Sequence, residues 1–76
     1  MFIRYKNLSG DSGVAAYDID GDVLTVEFTT GAIYEYDAAS AGPWEFREMC
    51  NLAPRGRGLN AFINSYAKHG YRRKVR

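Results

Sequence analysis

Residues 23–36, with the sequence VLTVEFTTGAIYEY, decide the fold of this chain. In the first half, apolar and polar side chains alternate, which places Leu24, Val26 and Phe28 on one face of an extended strand. The second half alternates in the same way, and the connector between them ends in Gly31, a residue suited to tight hairpin turns. The stretch therefore predicts an antiparallel β-hairpin with one buried face.

A third strand is predicted upstream of this hairpin, over residues 14–17. It is followed by an Asp20-Gly21 turn signal, so it joins the hairpin in a three-stranded antiparallel meander. The apolar residues within 1–9 can add a short edge strand at the N-terminus.

Beyond Asp37 the apolar residues change to helical spacing. Pro43 suits the first turn of this helix, and Pro54 and Gly56 mark its end. The residues spaced i, i+3, i+4 and i+7 on one side of the helix are Phe46, Met49, Cys50 and Ala53.

A second helix is predicted to begin near Gly58 and to end at Gly70. Its apolar face consists of Leu59, Phe62, Ile63 and Tyr66. The fold class is therefore α+β, with a three-stranded antiparallel meander followed by two helices packed on one face. The predicted core contains Leu24, Val26, Phe28, Tyr34, Phe46, Met49, Phe62 and Ile63.

Composition limits the chain to a single domain over residues 1–76. Hydrophobic residues make up 46% and aromatic residues 14% of the 76, which suffices for one core and not for two. Cys50 is the only cysteine, so an internal disulfide and a multi-cysteine metal site are excluded. Because no apolar segment reaches the length of a membrane span and no signal peptide is visible, we expect a cytoplasmic protein.

Charge is divided unevenly along the chain. Residues 1–50 carry a net charge of −6, whereas residues 51–76 carry +7 and contain no acidic residue. A run of this kind favours an anionic partner. Residues 70–76 are predicted to form a basic C-terminal tail, and the alternative to an anionic partner is that this tail serves only solubility.

Few residues could support catalysis or metal binding. Asp18, Asp20 and Asp22 alternate, but their order does not fit a helix–loop–helix calcium motif and suits a hairpin turn instead. His69 is the only imidazole, and Cys50 lies on the apolar side of the first helix, so the two do not form a nucleophile–base pair. We therefore expect no enzymatic activity, no cofactor, no metal and no small-molecule substrate.

The glycine-rich stretch GRGLNA at residues 56–61 matches a loose dinucleotide-binding pattern. It follows a helix rather than a strand, which argues against that function. Two interpretations remain open. In one, the N–H groups at the start of the second helix form a phosphate cradle between Arg55 and Arg57. In the other, the glycines only provide the bend between two helices.

Trp44 lies off the apolar side of the first helix. An exposed tryptophan can stack on a nucleic-acid base or anchor a protein partner. A tryptophan early in a helix more often packs across the preceding loop, and this interpretation is favoured.

The order of these features resembles that of the KTSC domain. Residues 34–36 correspond to the Y-x-Y motif of that family, and Gly56, Asn60 and Ile63 match its glycine, its aromatic-Asn pair and its isoleucine. Leu59 replaces the aromatic residue of the pair. The family's tyrosine a few residues later has no counterpart in register.

The resemblance covers roughly residues 12–72. The family is named for its place at the C-terminus of some lysyl-tRNA synthetases, and it also occurs alone in small bacterial and phage proteins. Because of this attachment to a tRNA-charging enzyme, the resemblance implies a role in RNA binding.

Charge and resemblance together predict a non-catalytic module that binds nucleic acid, with RNA favoured over DNA, and that does not contact membranes. The alternative is a protein-interaction module or a small inhibitor, including a phage-encoded one, that uses the acidic side of the sheet and Trp44 against a basic partner. The residues predicted to bind nucleic acid are Arg55, Arg57, Asn60, Asn64, Lys68, Tyr71, Arg72, Arg73, Lys74 and Arg76.

Overall fold

The computed structural model describes residues 1–76 and has the predicted α+β architecture, with helices packed against an antiparallel sheet. The strands follow chain order across the sheet, and each pairs with the next in antiparallel orientation. They are β1 (Ile3–Arg4), β2 (Val14–Asp20), β3 (Val23–Phe28), β4 (Ile33–Tyr36) and β5 (Arg73–Lys74). The helices are α1 (Ala38–Ala41), α2 (Pro43–Arg55) and α3 (Leu59–Phe62), and α3 continues into a π-helical turn over Ile63–Ala67.

The predicted hairpin and its upstream strand are confirmed as β3, β4 and β2. Leu24 pairs with Tyr36 and Val26 pairs with Tyr34, so these four side chains share the face that packs on the helices. Strand β2 is three residues longer than predicted, because its pairing with β3 continues to the turn at Gly21.

Helix α2 confirms the first predicted helix, including its boundaries. It begins at Pro43, where a missing N–H costs nothing, and it ends at Gly56, whose φ of +77° provides the left-handed C-cap. A bilayer-spanning helix would have to be longer and more apolar than any helix found in this fold.

The short helix α1 was not predicted, and a reciprocal cap holds its start. The Ser40 N–H donates to the Asp37 carboxylate at 2.8 Å, and the Asp37 N–H donates to the Ser40 hydroxyl at 3.0 Å. The bond from the Ser40 backbone is the main cause that lowers the pKa of Asp37 below its ordinary value, and the Arg72 cation contributes.

The second predicted helix differs in its geometry from a regular α-helix. Residues 63–67 form a π-helical turn, which rotates the following side chains away from the 3.6-residue spacing. Tyr66 was predicted to lie on the buried face, but it is 61% exposed, and Ala67 is buried in its place. The prediction for Tyr66 was wrong because the sequence pattern assumed a regular helix.

Half of the eight residues predicted to form the core are fully buried. Leu24, Val26, Met49 and Ile63 are buried. The other four are only partly buried and pack against the core: Phe28, Tyr34, Phe46 and Phe62. The buried hydrophobic residues outside the predicted core set are Tyr5, Val14, Tyr17, Ile33, Tyr36, Ala53, Leu59 and Ala67, of which Ala53 and Leu59 lie on the predicted apolar helix faces.

The N-terminal residues add the expected edge strand, although β1 contains only two residues. Tyr5 follows it and is 3% exposed. The Leu59 N–H donates a 3.2 Å hydrogen bond to the Tyr5 hydroxyl, which ties the start of α3 to the N-terminal segment.

Residues 70–76, predicted as a basic C-terminal tail, pair with the sheet over part of their length. They contain β5, which pairs with β4 at the edge of the sheet. The Arg72 N–H donates to the Glu35 carbonyl at 2.7 Å, and the Val75 N–H donates to the Ile33 carbonyl at 2.7 Å. The sequence pattern missed this strand because a two-residue strand among charged residues has no measurable alternation.

Candidate functional site

A groove of about 460 Å³ lies between the β3–β4 hairpin and the helical segment that begins at α3. Its size falls within the ~300–1,000 Å³ common for ligand sites. The groove is lined by Gly13, Phe28, Thr29, Thr30, Ala32, Tyr34, Tyr36, Asn60, Ile63, Asn64, Lys68, His69 and Tyr71. No aspartate or glutamate lines it, although the chain contains nine acidic residues.

Aromatic rings form one wall of this groove. The ring centroids of Tyr34 and Tyr71 are 4.7 Å apart, and Phe28 meets Tyr34 edge to face at 5.8 Å. The Lys74 ammonium lies 5.8 Å from the centroid of the Tyr34 ring. The pairing of β5 with β4 therefore places Lys74, and Tyr71 just before the strand, beside the aromatic residues of the hairpin.

Tyr36 lies deepest among the tyrosines of the groove, with 2% of its surface exposed. Burial raises the pKa of Tyr36 to about 12, and the nearby phenols of Tyr34 and Tyr71 add to the shift. The Tyr36 side chain is therefore a neutral hydrogen-bond donor at any ordinary pH.

This pKa shift predicts a loss of stability at alkaline pH that depends on Tyr36. The pKa of Tyr36 in the folded state lies above the ordinary value of 10.0. The contribution of the neutral Tyr36 phenol to the free energy of unfolding is therefore complete below about pH 10, and it is lost as the pH rises toward 12. Urea denaturation across this range should show a shallower decline for Tyr36→Phe than for the parent. Equal declines would show that the phenol is not desolvated in the folded state.

Amide and ammonium groups form the opposite wall. Three polar residues at four-residue spacing line the groove on this side: Asn60, Asn64 and Lys68. His69 lines it beside them. Asn60 lies against Gly13, the residue before β2, since a Cβ at Gly13 would be only 3.1 Å from the Asn60 Oδ1. The groove thus combines aromatic surfaces, amides that can donate and accept, and a cation.

Three of the predicted nucleic-acid-binding arginines lie outside the groove and form ion pairs with carboxylates of the N-terminal half of the chain. Arg73 lies 3.2 Å from the Glu35 carboxylate, and Arg76 lies 3.6 Å from that of Glu27. Arg72 lies 3.7 Å from the Asp37 carboxylate. The opposite charges of the two halves of the chain therefore meet within the molecule, and much of the acidic sheet side is neutralised.

Arg55 and Arg57 are exposed at the connector between α2 and α3. Gly56 and Gly58 both adopt left-handed conformations there, with φ of +77° and +83°. The Gly56 N–H caps α2, and the Leu59 N–H is taken by the Tyr5 hydroxyl. The connector therefore has the geometry of a helix–helix bend, with two of its N–H groups already used inside the protein.

Trp44 packs with two aromatic residues of the last helical segment and still leaves much of its surface open. Its ring centroid lies 5.6 Å from that of Phe62 and 5.9 Å from that of Tyr66. Trp44 is 53% exposed and Tyr66 is 61% exposed. These three residues, here called the aromatic cluster, lie outside the groove.

The remaining candidates of the sequence analysis occupy separate places. Burial raises the pKa of the half-buried Cys50 thiol, which disfavours the reactive thiolate. Asp18 accepts a hydrogen bond from the N-terminal ammonium at 3.2 Å. No three His, Cys, Asp or Glu side chains lie close enough together to hold a metal ion.

The structure therefore groups four of the predicted binding residues in the groove: Asn60, Asn64, Lys68 and Tyr71. It adds Tyr34, Tyr36 and His69, which were absent from the predicted set. The Y-x-Y motif was the signal for the two tyrosines, because alternate residues of a strand share one face. For His69 the only signal was its closeness to Lys68 in the chain.

Comparisons of the chain with models of protein families, with curated proteins and with solved structures found no match. The resemblance to the KTSC domain therefore stays a prediction.

Proposed function

We propose that this protein is a non-catalytic module that binds single-stranded nucleic acid, with RNA preferred, across the groove and the cations beside it. One observation carries the proposal. Residues chosen from the sequence for nucleic-acid binding line the same carboxylate-free groove as the two tyrosines of the Y-x-Y motif.

The chemistry of the groove suits an unpaired strand better than a duplex. Tyrosine rings such as Tyr34 and Tyr71 can stack on bases of any sequence, but only where those bases are not already stacked within a helix. The amides of Asn60 and Asn64 can donate and accept at a base edge. A duplex keeps its bases stacked, so it would offer the groove its backbone and base edges but no free base face.

Within residues 51–76, four exposed cations are available for phosphate contacts, since no carboxylate lies within ion-pair distance of them. Lys68 and Lys74 border the groove, and Arg55 and Arg57 lie at the other end of α3. The arginines at 72, 73 and 76 are instead offset by carboxylates. Phosphate contacts are therefore expected from four side chains rather than from all seven basic groups of residues 51–76.

A titration of the purified protein against labelled strands at two salt concentrations tests this function. We expect a single-stranded RNA of about ten nucleotides, within the usual site sizes, to bind more tightly than duplex DNA of the same length. With four contacts on a single strand, affinity should fall roughly fiftyfold between about 50 and about 200 mM salt, whereas seven contacts would give roughly a thousandfold. Single-stranded DNA of the same sequence measures the preference for RNA.

Failure of the parent protein to bind any of these strands would remove the nucleic-acid function. The second candidate, a protein-interaction module or small inhibitor, would then take its place. The aromatic cluster favours it, because exposed Trp and Tyr side chains are common anchors of protein partners. The acidic sheet side supports it less, since Glu27, Glu35 and Asp37 are paired within the chain.

A further inference from the structure

The Tyr36 hydroxyl is a hydrogen-bond donor without a partner in the protein. The residue is 2% exposed, and its hydroxyl takes part in none of the side-chain hydrogen bonds of the protein. Every fully buried side-chain polar atom has a hydrogen-bond partner, so the unpartnered Tyr36 hydroxyl is not fully buried. Because Tyr36 lines the groove, we infer that the hydroxyl opens into it. A mostly buried donor that faces a cavity and satisfies nothing inside the protein points to a ligand acceptor.

The surroundings of this hydroxyl favour a nucleobase over a phosphate at the floor of the groove. Burying a phosphate deep in the site would cost much of its hydration, and the two lysines beside the groove, Lys68 and Lys74, are exposed residues. A base presents a flat apolar surface to Tyr71, which is 37% exposed, and it presents ring nitrogens or carbonyl oxygens as neutral acceptors at its edge.

We propose that the groove holds one unpaired nucleotide, with the base inserted between the Tyr71 ring and the amides of Asn60 and Asn64. The Tyr36 hydroxyl donates a hydrogen bond to an acceptor on the base edge. The phosphate stays at the rim, where Lys68 contacts it. This inference rests on the proposed nucleic-acid-binding function and specifies the unit that the site recognises.

The substitution Tyr36→Phe tests the donor directly, because it removes one oxygen and keeps the ring in the core. Loss of one neutral hydrogen bond should weaken binding of a single-stranded RNA of about ten nucleotides roughly three- to tenfold. The matched control is Tyr17→Phe, which removes the hydroxyl of another buried tyrosine of the same sheet that does not line the groove. Its affinity should equal that of the parent.

A second variant protects the test against a loss of folding. Asn64 is exposed on the groove wall, so Asn64→Ala should leave the melting temperature unchanged and weaken RNA binding to a similar extent. In competition experiments, nucleoside 5′-monophosphates should displace the RNA, whereas inorganic phosphate at the same concentration should not.

The outcomes separate this inference from the function on which it rests. RNA binding that is equally tight for the parent, Tyr36→Phe and Asn64→Ala would overturn the single-nucleotide site and leave nucleic-acid binding intact. Displacement by inorganic phosphate as effective as that by nucleotides would also overturn base insertion. A third outcome is that the parent binds no strand but binds free nucleoside monophosphates, and that Tyr36→Phe weakens this nucleotide binding. That outcome would overturn the nucleic-acid function and keep the nucleotide site.

Discussion

Replacing Leu24 with alanine is expected to lower the free energy of unfolding by about 2–5 kcal/mol. The Leu24 side chain is 0% exposed and lies in the core cluster between the sheet and the helices. The change removes buried methyl groups and leaves a cavity that rigid neighbours fill only in part. Since folded domains are stable by only about 5–15 kcal/mol, urea denaturation should show a large shift of the midpoint.

The neighbouring substitution Thr25→Ala is the matched control, because Thr25 lies on the opposite face of the same strand. Its side chain is only partly buried, and the expected loss is below about 1 kcal/mol. Equal losses at positions 24 and 25 would contradict the assignment of faces in β3, on which the position of the groove tyrosines also depends.

The parts of the fold that the sequence predicted are those in which a regular period extends over many residues. Strand β3 alternates over six residues, and α2 keeps one apolar side over 13 residues between Pro43 and the glycine at its C-cap. In such segments every local preference favours the same structure. Their boundaries and buried faces therefore follow from residue order alone.

Segments without a regular period could not be predicted in this way. The π-helical turn at 63–67 breaks the helical spacing, so Tyr66 turned out exposed although it was predicted to lie with Leu59 on the buried face. Strand β5 forms because its two residues pair with β4, which is distant in sequence. No pattern in the local sequence predicts that pairing.

The groove was predictable only in part, for a related reason. Asn60, Asn64 and Lys68 are close in sequence, and their common spacing was visible. Their position opposite Tyr34 depends on how the helical segment packs on the sheet, and the position of Tyr71 depends on β5. The sequence shows the net charge of each half of the chain. It does not show that the C-terminal arginines pair with carboxylates of the first half, because those ion pairs depend on the tertiary structure.

The four cations of residues 51–76 that have no carboxylate partner should carry nearly all of the salt dependence of RNA binding. They lie on both sides of α3, and residues 57–68 would span about 16 Å as a helix, a distance that a short single strand can cover. Each phosphate contact contributes a slope of about −0.7 in the logarithm of affinity against the logarithm of salt. The variant that tests this carries glutamine at Arg55, Arg57, Lys68 and Lys74.

In this quadruple variant we expect affinity for single-stranded RNA to fall at least about a hundredfold at about 50 mM salt, and the slope to approach zero. Stability should change little, since the substituted side chains lie on exposed residues. A control that removes an internal ion pair, Arg73→Gln together with Glu35→Gln, leaves the net charge unchanged and should keep the slope of the parent. The reverse result, a flattened slope in the control and a normal one in the quadruple variant, would mean that β5 contacts the RNA. In that case the ion pairs of the sheet would have to open on binding, and the groove would not be the centre of the interface.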